Sequence, residues 1–222
     1  MNQSECIGAI RELLAKKPLI LDIETTGFRV DAIISLTLCS TDGQILYDEI
    51  FFTPQRNEAQ HINGITEDQI SRGKHLHEEW PKIEKLILDA SEVVTFTYNG
   101  YDLKVLKSNV PVMNPVVADK VTHNLAKLIY GAMGVSRRGG KISLKDCHLA
   151  LLGREIVNIH TSSGDCLGTL ACMNAVVRGA GGLDETGYTT TDKPDAVPNG
   201  LEHVGTFARV IDAKRQHEDT QN

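Results

Sequence analysis

Asp22 and Glu24 are separated by one residue and follow an apolar run, Pro18-Leu19-Ile20-Leu21. In a β-strand, residues two apart point to the same face. A strand ending here therefore carries two carboxylates side by side. They repel one another unless a cation neutralises them, and Mg²⁺ takes hard oxygen ligands of this kind. Two more acids fall at element ends. Asp102 follows the apolar stretch Glu92 to Thr97, and Asp165 lies five residues after His160. Carboxylates together with an imidazole that titrates near neutral pH suit metal-assisted hydrolysis with a built-in proton acceptor. Each residue also has a plainer use. Asp22 and Glu24 read singly as solvent-facing acids on an edge strand, Asp102 and Asp165 as helix caps, and His160 as a surface histidine. Their order, each at a strand or helix end, favours the chemical reading.

The elements that must position these residues are written in the apolar periodicity. A helix is expected over Cys6 to Lys17, then a strand over Leu19 to Glu24. Ala32 to Ser40 and Gln44 to Phe52 are β-branched runs joined by Thr41-Asp42-Gly43, a hairpin signal. A loop leads to a helix over Glu78 to Ala90, a strand over Glu92 to Thr97 and a short helix over Tyr101 to Ser108. Pro115 to Val121 reads as a further strand. Leu125 to Met133, Ser143 to Leu152 and Asp165 to Arg178 read as helices. Three hairpin-linked strands followed by alternating β and α segments describe an α/β domain with a mixed sheet.

This ordered set resembles the DEDDh family of 3′–5′ exonucleases, the superfamily of the proofreading subunits, which has a ribonuclease H-like fold. The resemblance runs over roughly residues 18–178. Asp22-Ile23-Glu24-Thr25-Thr26-Gly27-Phe28 matches the family's first motif, and His160-x4-Asp165 has the spacing of the histidine subtype. Ala59 to Thr66 looks like the family's substrate-contacting loop, with Asn63 where a histidine is usual. The second motif departs in wording: Thr97-Tyr98-Asn99-Gly100-Tyr101-Asp102 places its Asn nearer the acid. The resemblance implies two Mg²⁺ ions (Mn²⁺ substituting) held by Asp22, Glu24, Asp102 and Asp165, with His160 as general base. It also implies that Thr25, Thr26 and Gly27 meet the 3′-terminal nucleotide, and that Phe28 and Ile62 wedge against the last bases. Burial in the core is the alternative for those two.

The expected activity is removal of nucleoside 5′-monophosphates from the 3′ end of single-stranded DNA. The alternatives are trimming of RNA 3′ ends and a catalytically silent nucleic-acid-binding or partner-docking module. A formal charge of −6 argues against a protein coated in positive field for long nucleic acids. It leaves room for an enzyme whose ions supply positive charge locally. The compact basic cluster, Gly134 to Lys141, makes Arg137, Arg138 and Lys141 candidates for the substrate backbone, or else a solvated loop. Apolar runs are too short to span a bilayer, and the first residues lack a signal-peptide pattern. A cytoplasmic protein is expected, with five scattered cysteines kept reduced. Residues 1–180 read as the exonuclease domain. Residues 181–222, rich in Gly, Thr, Asp and Pro, read as a linker and tail with one helix over Leu201 to His217. That tail is a candidate tether to a polymerase or another replication or repair partner.

Overall fold

The computed structural model describes residues 1–27, 31–97, 100–122, 125–134 and 143–180. The chain starts with helix α1 (Gln3–Ala15), whose Asn2 and Glu5 form a reciprocal capping box. Three antiparallel strands follow: β1 (Leu19–Thr25), β2 (Ile33–Cys39) and β3 (Ile45–Ile50). Two short helices, α2 (Gln60–Asn63) and α3 (Glu67–Ser71), occupy the segment expected to be loop. The Thr66–Gln69 capping box starts the second of them. Then come α4 (Leu76–Asp89), β4 (Val93–Val94), α5 (Tyr101–Asn109), α6 (Pro115–Lys120) and β5 (Val121–Thr122). Helices α7 (Leu125–Ala132), α8 (Leu144–Leu152) and α9 (Ser162–Ala180) complete the described chain.

The strands form one sheet in the order β3-β2-β1-β4-β5, antiparallel on one side of β1 and parallel on the other. This is the mixed ribonuclease H-like sheet expected from the sequence. The strand expected over Glu92 to Thr97 is only Val93–Val94, and another expected strand is largely replaced. The segment expected as a strand from Pro115 to Val121 is mostly helix α6, and only Val121 and Thr122 pair in the sheet. Asn114 caps the helix by accepting from Val116 N–H, and Pro115 fits the first turn, where no N–H is needed. Only Val117 of this helix is buried, so its apolar composition imitated a strand without the matching burial.

Each face of the sheet has its own core. Leu19, Leu21 and Ile23 pack with Leu36 and Leu38 against α4 and α5. On the opposite face Ile20 and Cys39 pack under α1, α7, α8 and α9. The second face matters most for the site. Strand alternation carries it from Ile20 to Asp22 and Glu24, so an apolar face becomes acidic within one strand. Their partners on β2 are Thr37 and Ser35, hydroxyl residues on the same face. The register shifts between Glu24 and Thr25, a local irregularity of the kind that re-aims side chains at a strand end. Among the described residues, no helix is long and apolar enough to cross a membrane.

Candidate active site

Three carboxylates converge from two elements. Asp22 and Glu24 come from β1 and Asp165 from the first turn of α9, and one oxygen from each lies within 4.8 Å of the others. All three are half-buried. Asp102, in the first turn of α5, is 7% exposed. It stands outside that triangle, yet its charge helps to raise the Asp22 and Glu24 pKa values. Gly100 places it: a left-handed φ of 61° turns the chain from β4 into α5.

The electrostatics follow from crowding acids in a partly dry place. Burial first, then the neighbouring carboxylates, pushes Asp22 well above the usual range. Burial and the charges of Asp165 and Asp102 push Glu24 up to about 8. Burial raises Asp102 to about 6, opposed by the nearby Thr95 hydroxyl and its own backbone N–H. Among the described residues the buried Thr95 hydroxyl has no hydrogen-bond partner, and it acts on Asp102 as a nearby dipole. Asp165 is raised by burial and held back by His160, whose backbone N–H donates to Asp165 Oδ1 at 3.4 Å. An all-oxygen set that resists ionisation when empty is what a hard divalent cation would relieve, so these residues fit Mg²⁺ or Mn²⁺.

His160 is exposed and sits in a turn with a left-handed φ of 64°. Asn158, also left-handed, accepts from Thr161 N–H and from Thr161 Oγ1 at 2.7 Å. Gly164 N–H then donates to Thr161 Oγ1, and Asp165 N–H to the Thr161 carbonyl. The turn is thus closed onto the helix that carries Asp165. A Cβ at Gly164 would overlap the Asn158 carbonyl, so the small run Ser162-Ser163-Gly164 serves close packing. Gly164→Ala is expected to displace the turn, lowering stability by about 1–3 kcal/mol and activity with it. Thermal melts and rate assays of the variant check this.

The other expected substrate residues divide. Thr25 and Thr26 are buried. Thr25 Oγ1 donates to the Gly27 carbonyl at 2.6 Å and meets the Tyr101 hydroxyl at 3.1 Å. Thr26 Oγ1 donates to Gln55. Their hydroxyls hold the turn, and its backbone is bonded inward as well: Thr26 N–H donates to the Ala32 carbonyl, and the Thr26 carbonyl accepts from Glu58 and Ala59 N–H. Asn63, a candidate substrate residue, is 4% exposed. Its amide accepts from Asn57 and from Ile65 N–H, and donates to the Thr25 carbonyl. It therefore ties the 57–65 loop to the end of β1. Ile62, one residue earlier, is half-buried. It lines a cleft of about 940 Å³ with Asn63, Ser162 and Ser163. Phe28, Arg137, Arg138, Lys141 and the tail from residue 181 lie outside the described residues.

Reading from sequence missed the polar residues beneath the site: Ser35, Thr37, Asp48 and Ser162. A signal for the first two existed. Ser35 and Thr37 alternate with Leu36 and Leu38, so one face of β2 is polar although the strand is wholly buried.

A family model described as the RNase_H superfamily matches residues 19–171, well over half of the chain. The chain belongs to the RNase_H superfamily. Every residue of this superfamily member that forms the acidic triangle falls within the match. A solved structure described as 3′-end specific recognition of histone mRNA stem-loop by 3′-exonuclease shares the fold with a TM-score of 0.52. That likeness covers 75% of this chain and 83% of the other, at 17% sequence identity. No functionally curated protein matches the chain in sequence.

Proposed function

We propose that this RNase_H superfamily member is a metal-dependent 3′–5′ exonuclease of the DEDDh type. It hydrolyses phosphodiester bonds from the 3′ end of single-stranded nucleic acid, DNA first, and releases nucleoside 5′-monophosphates. The observation that carries this reading is the convergence of Asp22, Glu24 and Asp165, with His160 hydrogen-bonded through its backbone to the third acid.

Asp22, Glu24, Asp165 and, from its more buried position, Asp102 would hold two Mg²⁺ ions, with Mn²⁺ as a substitute. When bound, such ions polarise the phosphoryl oxygens and make a water more acidic. The chain's own residues do the rest. The exposed imidazole of His160 takes the proton of the attacking water as its oxygen bonds to phosphorus and the P–O3′ bond breaks, and the departing 3′-oxygen takes a proton from solvent to become the new 3′-hydroxyl. Asp165 stabilises the imidazolium that results. The turn from Thr25 to Gly27 receives the terminal nucleotide, and Ile62 and Phe28 press on its bases. Contacts of this kind recognise any base.

The loss of His160 separates its role from metal binding. His160→Ala should lower turnover by roughly 10²–10⁴-fold and leave Mn²⁺ affinity nearly intact. A loss of Mn²⁺ binding as large as that of Asp22→Ala would make His160 a ligand instead.

RNA is the second substrate, favoured by the fold shared with an exonuclease that recognises the 3′ end of an RNA stem-loop. Reading the 2′-hydroxyl depends on contacts around the terminal sugar. Digestion of matched 5′-labelled DNA and RNA strands in Mg²⁺ separates the two. A strong preference for RNA would replace the DNA assignment, and cleavage of neither would leave a silent binding module. Arg137, Arg138 and Lys141 are proposed to grip the substrate backbone, and residues 181–222 to tether a replication or repair partner. Five free, buried cysteines accord with a cytoplasmic setting.

A further inference from the structure

Helix α9 begins on a chain of hydroxyl groups. Thr37 Oγ1 donates to Asp48 Oδ1 at 2.7 Å. Ser162 Oγ lies 2.8 Å from Thr37 Oγ1, and Ser35 Oγ lies 2.6 Å from Ser162 Oγ. Ser35, Thr37 and Ser162 are 5%, 0% and 2% exposed, so water does not substitute for these bonds. A hydroxyl has one proton to give. Thr37 spends its proton on the carboxylate, so Ser162 must donate to Thr37, and Ser35 to Ser162. The chain Ser35→Ser162→Thr37→Asp48 therefore has one direction, set by Asp48, and bonds in such a series reinforce each other.

Its position gives this chain a consequence. Ser35 and Thr37 are the β2 partners of Glu24 and Asp22. Ser162 lies between His160 and Asp165. It is the point where the segment bearing the third acid and the proposed base is fastened to the strand beside the other two acids. Cys166 extends the fastening, its thiol reaching the Ile20 and Thr37 carbonyls at 3.5 and 3.6 Å.

We infer that Ser162, Thr37 and Asp48 are positioning residues that set the distance of Asp165 and His160 from Asp22 and Glu24, and thereby the affinity for divalent cation. This rests on the nuclease reading of the site. Residues that orient ligands through hydrogen bonds typically affect metal affinity or activity by about 10–100-fold. The hydroxyl chain acts only through Asp165 and His160.

The test is Mn²⁺ titration of the full chain, read by the electron paramagnetic resonance signal of free Mn²⁺, with hydrolysis and melting temperature measured in parallel. Ser162→Ala and Thr37→Val are expected to weaken Mn²⁺ binding roughly tenfold or more. Thr37→Ser, which keeps the hydroxyl, should stay close to wild type. Asp48 is exposed, so Asp48→Asn should fold, and its weaker acceptor should give an intermediate loss. Lower melting temperatures with wild-type Mn²⁺ affinity would overturn the inference by making the hydroxyls purely structural. If the two buried variants fail to fold, unchanged Mn²⁺ affinity in Asp48→Asn overturns it alone. A wild-type chain that neither binds Mn²⁺ nor hydrolyses nucleic acid would instead overturn the nuclease reading itself.

Discussion

Replacing Asp22 by Asn is expected to abolish hydrolysis while leaving the metal-free protein as stable as before, or more so. Asp22 lies at the centre of the repulsion, with Asp165, Glu24 and Asp102 all raising its pKa after burial itself. A neutral amide of the same shape removes that repulsion and one hard ligand together. A bound divalent cation contributes several kcal/mol of charge stabilisation to a phosphoryl transition state. Each 1.4 kcal/mol is a factor of ten in rate, so a loss of roughly a thousandfold or more is expected. Glu24→Gln and Asp165→Asn should behave alike. Rates and metal-free melting temperatures are the paired measurements. A variant that melts far below wild type would show that its carboxylate is structural.

The second large effect is on stability against pH. An unfolded glutamate titrates near 4.3, whereas burial and its acidic neighbours push Glu24 up to about 8 in the folded chain. Between those values the folded state binds more protons than the unfolded one. Stability must therefore fall as pH rises through that window, and level off above it. Asp22 and Asp165, also raised, add to the same slope. A tenfold difference in proton affinity between the folded and unfolded chain corresponds to about 1.4 kcal/mol. A loss on the order of 3 kcal/mol corresponds to roughly 10 °C in a domain of this size. The metal-free protein should accordingly melt roughly 10 °C lower at pH 8.5 than at pH 5, relative to Glu24→Gln measured alongside it. Saturating Mg²⁺ should restore the difference at pH 8.5 and do little at pH 5, because the ligands must be deprotonated to bind. A wild-type curve parallel to that of Glu24→Gln would mean that the acids do not interact as the geometry requires.

Why the acids were visible in the sequence and their supports were not has a physical basis. Asp22 and Glu24 declare themselves because strand alternation is local: two residues apart means one face, whatever the rest of the chain does. His160 and Asp165 are local in the same way, within one turn and the start of one helix. The hydroxyl chain joins residues 35, 37, 48 and 162, and no pattern within any one segment reveals that the four meet. The internal bonds of Asn63 were hidden for a related reason. Its position in the loop suggested substrate contact, and nothing within that segment reveals its hydrogen bonds to Asn57 and Thr25. The error at Pro115 to Val121 was of another kind. Val116, Val117 and Val121 have strand-like composition, but the Asn114 cap and Pro115 had the stronger local claim. The two helices between residues 60 and 71 were missed because they are only four and five residues long, too short to show a helical period.

The central claim is that the acids on β1, α5 and α9 act with His160 to remove nucleotides from a 3′ end. Its most direct test uses one 5′-labelled single strand prepared with a free 3′-hydroxyl and with a blocked 3′ end. Each is incubated with wild type or Asp22→Asn, in Mg²⁺ and in chelator. The free strand should shorten one nucleotide at a time from its 3′ end, with wild type in Mg²⁺ only, releasing 5′-monophosphates. The blocked strand should persist. Equal internal cutting of both strands, or shortening that survives chelation or the Asp22→Asn change, would contradict the account.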